Sequence, residues 1–281
     1  MLPALGLLLA IQQAPFDTTI AVRPDTRLEA TASAGTIVVS VWDRNAVRIV
    51  ARPQRRSEVS AVLDGAVLDV RGRTPTGGID VVDYEITAPR RMNLTLGRGD
   101  VDITVQGSEG SVHASSTAGK IVIDGGRGAV LASTFRGNIE IRGARAKVTV
   151  ESTMGTLLLS DIVGDVDARS NSHHVTLQNV DSRNLRASSI AGMVRFSGPL
   201  HPDGRYTLTS HSGSVFLRSP APINASIDIA TVGGAFSSPQ SHSITYRTRS
   251  GIFIARFGNG AAQVTMESFT GGLVVEAIKP R

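Results

Sequence analysis

The stretch VHASSTAGKIVI, residues 112–123, recurs in outline as VLASTFRGNIEI at residues 130–141 and as VTVESTMGTLLL at residues 148–159. In each copy, apolar residues alternate with other residues before a glycine and alternate again after it. Alternation at a period of two describes a β-strand with one face turned inward. Each copy therefore predicts two short strands that are joined by a corner at the glycine.

The pattern continues along the chain, with corner residues 17 to 21 positions apart. Such a repeat predicts a stack of coils, because a single coil cannot bury its inner face without a neighbour. We therefore predict an all-β fold, a single-chain β-solenoid of the β-helix or β-roll type, with about ten two-strand coils. The predicted corner residues are Gly99, Gly119, Gly137, Gly155, His173, Gly192, Gly213, Gly234, Gly251 and Gly271.

The corners carry two further sequence features. A sharp turn between strands is expected to need a positive φ angle, which glycine adopts most readily. His173 is the one departure, and we expect a corner there rather than a catalytic role. A serine or threonine stands three residues before each of nine corners, from Ser116 to Ser268. We expect these hydroxyl groups to hydrogen-bond the backbone of the corner.

The chain outside the repeat predicts a three-part organisation. Residues 1–14 contain an apolar run that is typical of a signal peptide and too short to span a bilayer. Residues 15–91 are expected to form β-strands that cap the N-terminal end of the rod, with one copy of the coil signature between Leu28 and Val39. Residues 92–279 form the solenoid. Little sequence follows it, so we expect an open C-terminal end through which copies of the chain self-associate.

Several segments combine in a way that is typical of one bacterial family. They are LEATASAGTIVVSV at residues 28–41 followed by Trp42 and Asp43, the extended stretch 82–89, and the S-T-x-G-x-I-x-I units such as those at residues 116–123 and 152–159. Together they resemble the "putative adhesin" domain of unknown function. The resemblance implies an envelope-associated β-solenoid with a role in surface attachment, and it brings no catalytic motif with it.

The sequence contains no recognisable catalytic, metal or cofactor motif. The absence of cysteine excludes disulfides and thiolate ligands. The histidines occupy different places relative to the corners, so we expect no metal site. Asp102 and Glu140 come nearest to a pair of catalytic carboxylates, at a predicted separation of roughly 10 Å with no third acid nearby. We therefore expect no catalytic residues and no cofactor.

Positive charge slightly exceeds negative charge, with a formal net charge of +5. The charges are scattered and aromatic residues do not alternate with the arginines, which disfavours a nucleic-acid partner. The densest basic area comprises Arg127, Arg136, Arg142, Arg145 and Lys147. It is the candidate for contacting an anionic glycan, phospholipid or teichoic-type polymer. A solvated surface without a ligand is the alternative.

Three functional hypotheses follow. The first is a non-enzymatic solenoid, exported to the periplasm, cell surface or medium of a bacterium, that acts as an adhesin-like binding or scaffolding surface. Its partner would be a cell-wall glycan, an anionic envelope polymer or an envelope protein. The second is a carbohydrate-active enzyme, a polysaccharide lyase or hydrolase on a β-helix, and the third is an envelope stress-sensing or scaffold domain. No further apolar segment is long enough for a membrane helix.

Overall fold

The computed structural model describes residues 16–54, 57–75, 77–246 and 252–278. These residues form a 13-stranded sheet and a 14-stranded sheet, here called the first and the second sheet. Most neighbouring strands run parallel, and the chain alternates between the two sheets, so the fold is the all-β solenoid that the repeat predicts. The predicted signal peptide at residues 1–14 and the predicted corner residue Gly251 lie outside the described residues.

The strand boundaries follow the repeat. In chain order the strands are β1 (Phe16–Ala21), β2 (Arg27–Thr31), β3 (Ala34–Trp42), β4 (Ala46–Gln54), β5 (Glu58–Asp64), β6 (Val67–Arg73), β7 (Val81–Pro89), β8 (Leu94–Gly97), β9 (Asp100–Ser108), β10 (Val112–Ser116), β11 (Ile121–Gly125), β12 (Val130–Thr134), β13 (Ile139–Arg142), β14 (Val148–Ser152), β15 (Leu157–Ser160), β16 (Val166–Ser170), β17 (Val175–Gln178), β18 (Asn184–Ser189), β19 (Val194–Ser197), β20 (Arg205–Ser210), β21 (Val215–Pro220), β22 (Ala225–Thr231), β23 (Phe236–Ser237), β24 (Ser243–Tyr246), β25 (Ile252–Phe257), β26 (Ala262–Ser268) and β27 (Leu273–Ile278).

Each coil consists of a strand in the second sheet, a corner, and a strand in the first sheet. In β14, Val148 and Val150 are buried while the residues between and after them face outward, as a period of two requires. In the first sheet, Ile121, Ile139 and Leu157 are buried and lie side by side in three successive coils. Stacking therefore buries one continuous apolar core between the two sheets.

Coils β10–β11 to β20–β21 stack in chain order and in the register that the repeat predicts. Val130, for example, lies between Val112 and Val148. The register of the preceding coil, β8–β9, differs from the prediction by two residues. Leu94, where the pattern placed Met92, is the residue beside Val112. This register keeps the offset to the next coil at 18 residues, the same as in the next three steps of the stack, so the apolar columns continue without a break.

The N-terminal strands extend both sheets beyond the predicted repeat. β2 and β3 form a coil that is parallel to β8 and β9, as the coil signature between Leu28 and Val39 predicts. β6 and β7 form a further parallel coil on the other side of it. β4 and then β1 follow antiparallel in the first sheet, and β5 follows antiparallel in the second. The division of the chain at residue 91 stays a prediction.

The C-terminal coils do not stack in chain order, which corrects two predictions. β26 lies between β20 and β22, and β27 lies between β21 and β23, so the last coil of the chain is internal to the stack. The predicted coil around Gly251 is instead an antiparallel pair, β24 and β25, which extends the second sheet. The expected open C-terminal end is therefore wrong, because strands pair with the last coil on both sides. β26 pairs along its length with β20 and β22, and β27 pairs with β21 and, at Leu273 and Val274, with β23.

Two kinds of corner connect the strands. The anchor corner leads from the second sheet to the first and contains the predicted corner residue; the return corner leads from the first sheet to the next coil. At the anchor corners a Cβ on the glycine would lie only 1.8 to 2.2 Å from a backbone carbonyl oxygen of the adjacent coil. This holds for the described members of the set, Gly99, Gly119, Gly137, Gly155, Gly192, Gly213, Gly234 and Gly271.

The anchor glycines do not have the positive φ angles that we expected for them. Glycine is required there because stacked backbones approach each other closely. Positive φ occurs instead at the return corners, at positions 18 residues apart, with φ values of 73°, 97°, 67°, 55° and 52° at Gly107, Gly125, Gly143, Asp161 and Asn179. Aspartate and asparagine tolerate this left-handed conformation better than most residues.

The hydroxyl groups before the anchor corners form a hydrogen-bond ladder, as predicted. Ser116 Oγ accepts a bond from Gly119 N (2.8 Å) and donates one to Gly99 O of the adjacent coil (3.1 Å). The corner at His173 follows the same scheme, since its N–H donates to Ser170 Oγ (3.2 Å) and its carbonyl accepts from Ser189 Oγ (2.9 Å). His173 thus takes the backbone role of an anchor glycine, and the ladder satisfies polar groups in the buried corner.

Candidate functional site

The return corners stack into one edge of the rod, here called the return edge. Backbone hydrogen bonds connect successive turns: Arg90 N donates to Trp42 O (3.1 Å), Glu109 N to Arg90 O (2.8 Å), and Arg145 N to Gly126 O (2.7 Å). Side chains from turns far apart in sequence are therefore neighbours along this edge. The edge brings basic residues together in its N-terminal half.

The five residues of the predicted basic area do not lie together. Arg127, Arg145 and Lys147 are exposed on the return edge, in two neighbouring turns. Arg136 lies on the opposite edge, at an anchor corner, where its N–H donates to Thr117 O (2.9 Å). Arg142 ends β13 on the outer face of the first sheet. The structure thus groups three of the five residues and separates the other two.

These basic residues also differ in their ion pairing. Arg142 forms a close ion pair with Glu140, and Arg127 lies 3.8 Å from a carboxylate oxygen of Glu109. Within the part of the chain that the structure describes, Arg145 and Lys147 have no ion-pair partner within 4.0 Å. Two positive charges on the return edge are therefore available to a ligand without the loss of an ion pair among the described residues.

Next to Arg127, the return edge opens into a cleft of about 430 Å³, here called the Trp42 cleft. Its walls come from the turns β1–β2, β3–β4 and β7–β8, together with Glu109 from the turn β9–β10. The charged residues that line it are Arg23, Arg44, Arg90, Arg91, Asp43 and Glu109. Four guanidinium groups face two carboxylates, so the cleft has a net positive charge.

Sequence reasoning missed this cleft. The arginines come from three separate turns, and no basic run longer than Arg90–Arg91 marks any of them. The available signals were the dipeptide Arg90–Arg91 and the only tryptophan of the chain, Trp42, which is followed closely by Arg44. Neither of them indicates that the turns meet, because their proximity depends on the stacking of the N-terminal strands.

The indole of Trp42 is held in place within the cleft. Its Nε1 donates a hydrogen bond to Ala46 O (2.7 Å), and the Arg44 guanidinium carbon lies 5.1 Å from the ring centroid, in a cation–π arrangement. Arg90 donates a hydrogen bond to Asp43 (3.1 Å), which raises the pKa of Arg90. The cleft therefore combines a fixed aromatic wall with guanidinium groups that stay charged.

Glu109 lies between two arginines at the mouth of the cleft. Its carboxylate oxygens are 3.6 Å from Arg91 Nε and 3.8 Å from Arg127 Nε, beyond the usual length of a charge-assisted hydrogen bond. The backbone N–H of Glu109 is bonded to Arg90 O (2.8 Å), which fixes its position. Both guanidinium groups thus keep hydrogen-bond donors available for an added anion.

The carboxylates considered for catalysis have structural partners. Asp102 accepts a hydrogen bond from the backbone N–H of Lys120 (2.7 Å). Partial burial raises the pKa of Glu140, but hydrogen bonds from Lys120 and Arg142 outweigh this, and the pKa falls below its usual value. A carboxyl group with a lowered pKa is a poor general acid at neutral pH.

Within residues 16–54, 57–75, 77–246 and 252–278, no three His, Asp or Glu side chains are grouped so that they can hold a metal ion. The same residues include no helix with the length and apolar character that crossing a bilayer requires.

No protein-family model matches the sequence, and no curated protein matches it. Two solved structures are similar to the chain. A "putative cell adhesion protein" from Clostridium sporogenes is 10% identical, with 94% of this chain and 100% of that chain covered and a TM-score of 0.23. A "putative adhesin" from Bacteroides fragilis is 13% identical, with 95% and 98% covered and a TM-score of 0.31. These descriptions agree with the resemblance to the bacterial "putative adhesin" domain, but similarity at this level assigns no function.

Proposed function

We propose that this chain is a non-enzymatic, exported protein of the bacterial envelope whose return edge binds an anionic polymer in the manner of an adhesin. The observation that carries the proposal is the row of exposed cations Arg127, Arg145 and Lys147, of which the last two have no ion-pair partner among the described residues. Neighbouring coils are about 4.8 Å apart. Cations repeated at this spacing attract a chain of regularly placed negative charges.

The basic part of the return edge has two limits. On its C-terminal side the next return corner carries the exposed acids Asp161 and Asp165, which repel an anionic ligand. On its N-terminal side it continues into the Trp42 cleft. A bound polymer would therefore lie along the N-terminal half of the rod. The lowered pKa of Glu140 and the hydrogen bond at Asp102 support binding without catalysis.

The test is to compare binding of polygalacturonate, an anionic polysaccharide, with binding of neutral dextran. We expect polygalacturonate to bind and dextran not to bind. The variant Arg127→Ala/Arg145→Ala/Lys147→Ala should weaken binding by about tenfold or more, since three exposed charge contacts are lost. Added salt should weaken binding of the unaltered protein as well, because it screens exposed charges. Affinity can be measured by isothermal titration calorimetry.

The control is Arg136→Ala, which removes an exposed arginine from the opposite edge that has no ion pair within the described part of the chain. It should leave binding unchanged. If net charge rather than the return edge decided binding, Arg136→Ala would lose about a third of the binding free energy that the triple variant loses, because it removes one charge instead of three. That result would contradict the proposal. Release of new reducing ends from the polysaccharide during the assay would contradict the non-enzymatic function.

A further inference from the structure

We propose that the Trp42 cleft is a subsite for one sugar ring that carries a carboxylate or phosphate group. The inference rests on the proposed function in one respect, since it takes the ligand of the return edge to be an anionic glycan. It adds a second recognition element to that edge. The row of cations contacts the repeated charges of a polymer, whereas the cleft encloses a single residue of it.

The size of the cleft excludes some ligands and suits others. Its volume of about 430 Å³ lies in the range of small-molecule sites and far exceeds the space that a free inorganic anion fills. Apolar residues line it as well as arginines, namely Pro24, Trp42, Pro89 and Met92. A ligand that fills this cleft therefore has an apolar surface beside its charge, as the C–H faces of a pyranose ring provide.

The arginines supply the polar contacts to the anionic group of the ligand. A guanidinium group presents paired N–H donors that match the two oxygens of a carboxylate or phosphate. Arg91 is best placed for this, because 89% of its side chain is exposed and its ion pair with Glu109 is long, at 3.6 Å. Arg44 is exposed at the cleft wall, with its guanidinium over the Trp42 ring. A ligand anion can thus contact Arg91 while its ring lies near the indole.

A substitution of Glu109 should change the affinity in the opposite direction from a substitution of Arg91. Its side chain is 25% exposed and lies between Arg91 and Arg127, so it competes with a ligand anion for both guanidinium groups. Replacement of Glu109 by glutamine removes the competing charge and keeps the shape. If the cleft binds an anion, Glu109→Gln should strengthen binding, whereas the removal of Arg91 should weaken it.

The experiment uses the fluorescence of Trp42, which is the only tryptophan of the chain. Trigalacturonic acid is titrated into the full-length protein, with its methyl ester as the neutral counterpart. We expect a saturable change in tryptophan fluorescence with the acid and none with the ester. Arg91→Ala should weaken the apparent affinity about tenfold, the effect of one lost charge-assisted hydrogen bond. Glu109→Gln should strengthen it several-fold, and the distant Arg136→Ala should leave it unchanged.

Two further titrations distinguish other sources of the same anionic chemistry. Inorganic phosphate should bind more weakly than trigalacturonic acid, because it has no apolar surface that can pack against the apolar residues of the cleft. Vesicles of phosphatidylcholine with phosphatidylglycerol should leave the fluorescence of Trp42 unchanged. A fluorescence change with these vesicles but not with the acid would overturn the sugar assignment in favour of a lipid headgroup.

The experiments can contradict the cleft inference and the proposed function independently of each other. If polygalacturonate binds but trigalacturonic acid leaves Trp42 unaffected and Arg91→Ala has no effect, the cleft inference is wrong while the proposed function stands. If trigalacturonic acid binds in the cleft but the affinity for polygalacturonate is unchanged in the variant of Arg127, Arg145 and Lys147, the proposed function is wrong while the subsite stands. A loss of affinity in Glu109→Gln would contradict the competing role of that carboxylate.

Discussion

At the residue scale, the two kinds of corner restrict their residues for different physical reasons. At Gly155, an added Cβ would lie 1.8 Å from Gly137 O of the adjacent coil, so no side chain fits. At Gly143, nothing lies within 4 Å of an added Cβ, but φ is +67°. The first site excludes side chains by contact between coils, and the second only by the local energy of the backbone.

This difference predicts unequal effects of the same substitution. Gly155→Ala should lower the free energy of unfolding by about 3 kcal/mol or more, because the coils must move apart. Gly143→Ala should lower the free energy of unfolding by only about 1 kcal/mol, the penalty of an alanine in the left-handed conformation. Gly143→Asn should be milder still, since Asn179 occupies the equivalent position. Urea denaturation monitored by circular dichroism measures all three, and equal losses at both sites would contradict the explanation.

Tyr84 is a second residue whose environment has a measurable consequence. The ring is fully buried in the N-terminal part of the core. Burial raises the pKa of its hydroxyl strongly, and the nearby charge of Asp80 raises it further. Burial also raises the pKa of Tyr206. As the pH rises, an unfolded tyrosine therefore ionises before a buried one does. Its ionisation stabilises the unfolded state relative to the folded state.

We therefore expect stability to fall when the pH rises above about 10, the pKa of an unfolded tyrosine. Each buried tyrosine contributes a fall of roughly 1.4 kcal/mol for each pH unit, up to its pKa in the folded state. Tyr84→Phe should remove its share of this dependence and should change the stability little at neutral pH, since the hydrogen bond from its hydroxyl to Thr31 O is long (3.5 Å). Denaturation midpoints between neutral and alkaline pH measure the effect. The exposed Tyr246→Phe is the control, and the same alkaline slope in Tyr84→Phe and the unaltered protein would refute the prediction.

At the scale of elements, the position of the last coil is the main departure from the simple repeat. β26 and β27 are the final strands of the chain, yet they lie between the coil β20–β21 and the coil β22–β23. Their inward residues Val264, Met266 and Leu273 are buried. The chain therefore leaves a gap of one coil, forms β22 to β25 beyond it, and returns to fill the gap.

A crosslinking experiment tests this stacking order directly. Thr209 pairs with Glu267, and Glu267 pairs with Ala230, so Thr209 and Ala230 are two strand spacings apart. The chain has no cysteine of its own. Thr209→Cys/Glu267→Cys should form a disulfide on mild oxidation, whereas Thr209→Cys/Ala230→Cys should not, because a disulfide requires Cα atoms within about 7 Å. Mass spectrometry of the unreduced proteins reads the result, and the reverse pattern would mean that the coils stack in chain order.

At the scale of the whole molecule, antiparallel strands are added at both ends of the parallel stack. β1, β4 and β5 extend the N-terminal end, and β24 and β25 extend the second sheet at the other end. Solenoids need such atypical end units, because an uncovered coil exposes both its inner face and its unpaired backbone. In this chain the cap at the far end comes from a segment before the last coil.

The stacking of the coils in the whole molecule also decides which charged residues lie close together. Arg127 and Arg136 are nine positions apart in the sequence but lie on opposite edges of the rod. Arg91 and Arg127 are farther apart in the sequence, yet both approach Glu109. Sequence clustering therefore grouped Arg136 with the wrong neighbours and omitted Arg91. The coil repeat itself could have separated the two edges, because return and anchor corners alternate along the chain.

The sequence by itself determined the all-β fold, the paired strands of the coils from β10–β11 to β20–β21, and the hydroxyl ladder. Each of these depends on local spacing, since a period of two sets the inner face of a strand and the residue at an anchor corner repeats with the coil. The tertiary structure alone decided the stacking order at both ends and the Trp42 cleft. Coils with similar apolar inner faces can stack in more than one order. Which turns become neighbours therefore depends on how all the coils are covered together, and that information is absent from any single repeat.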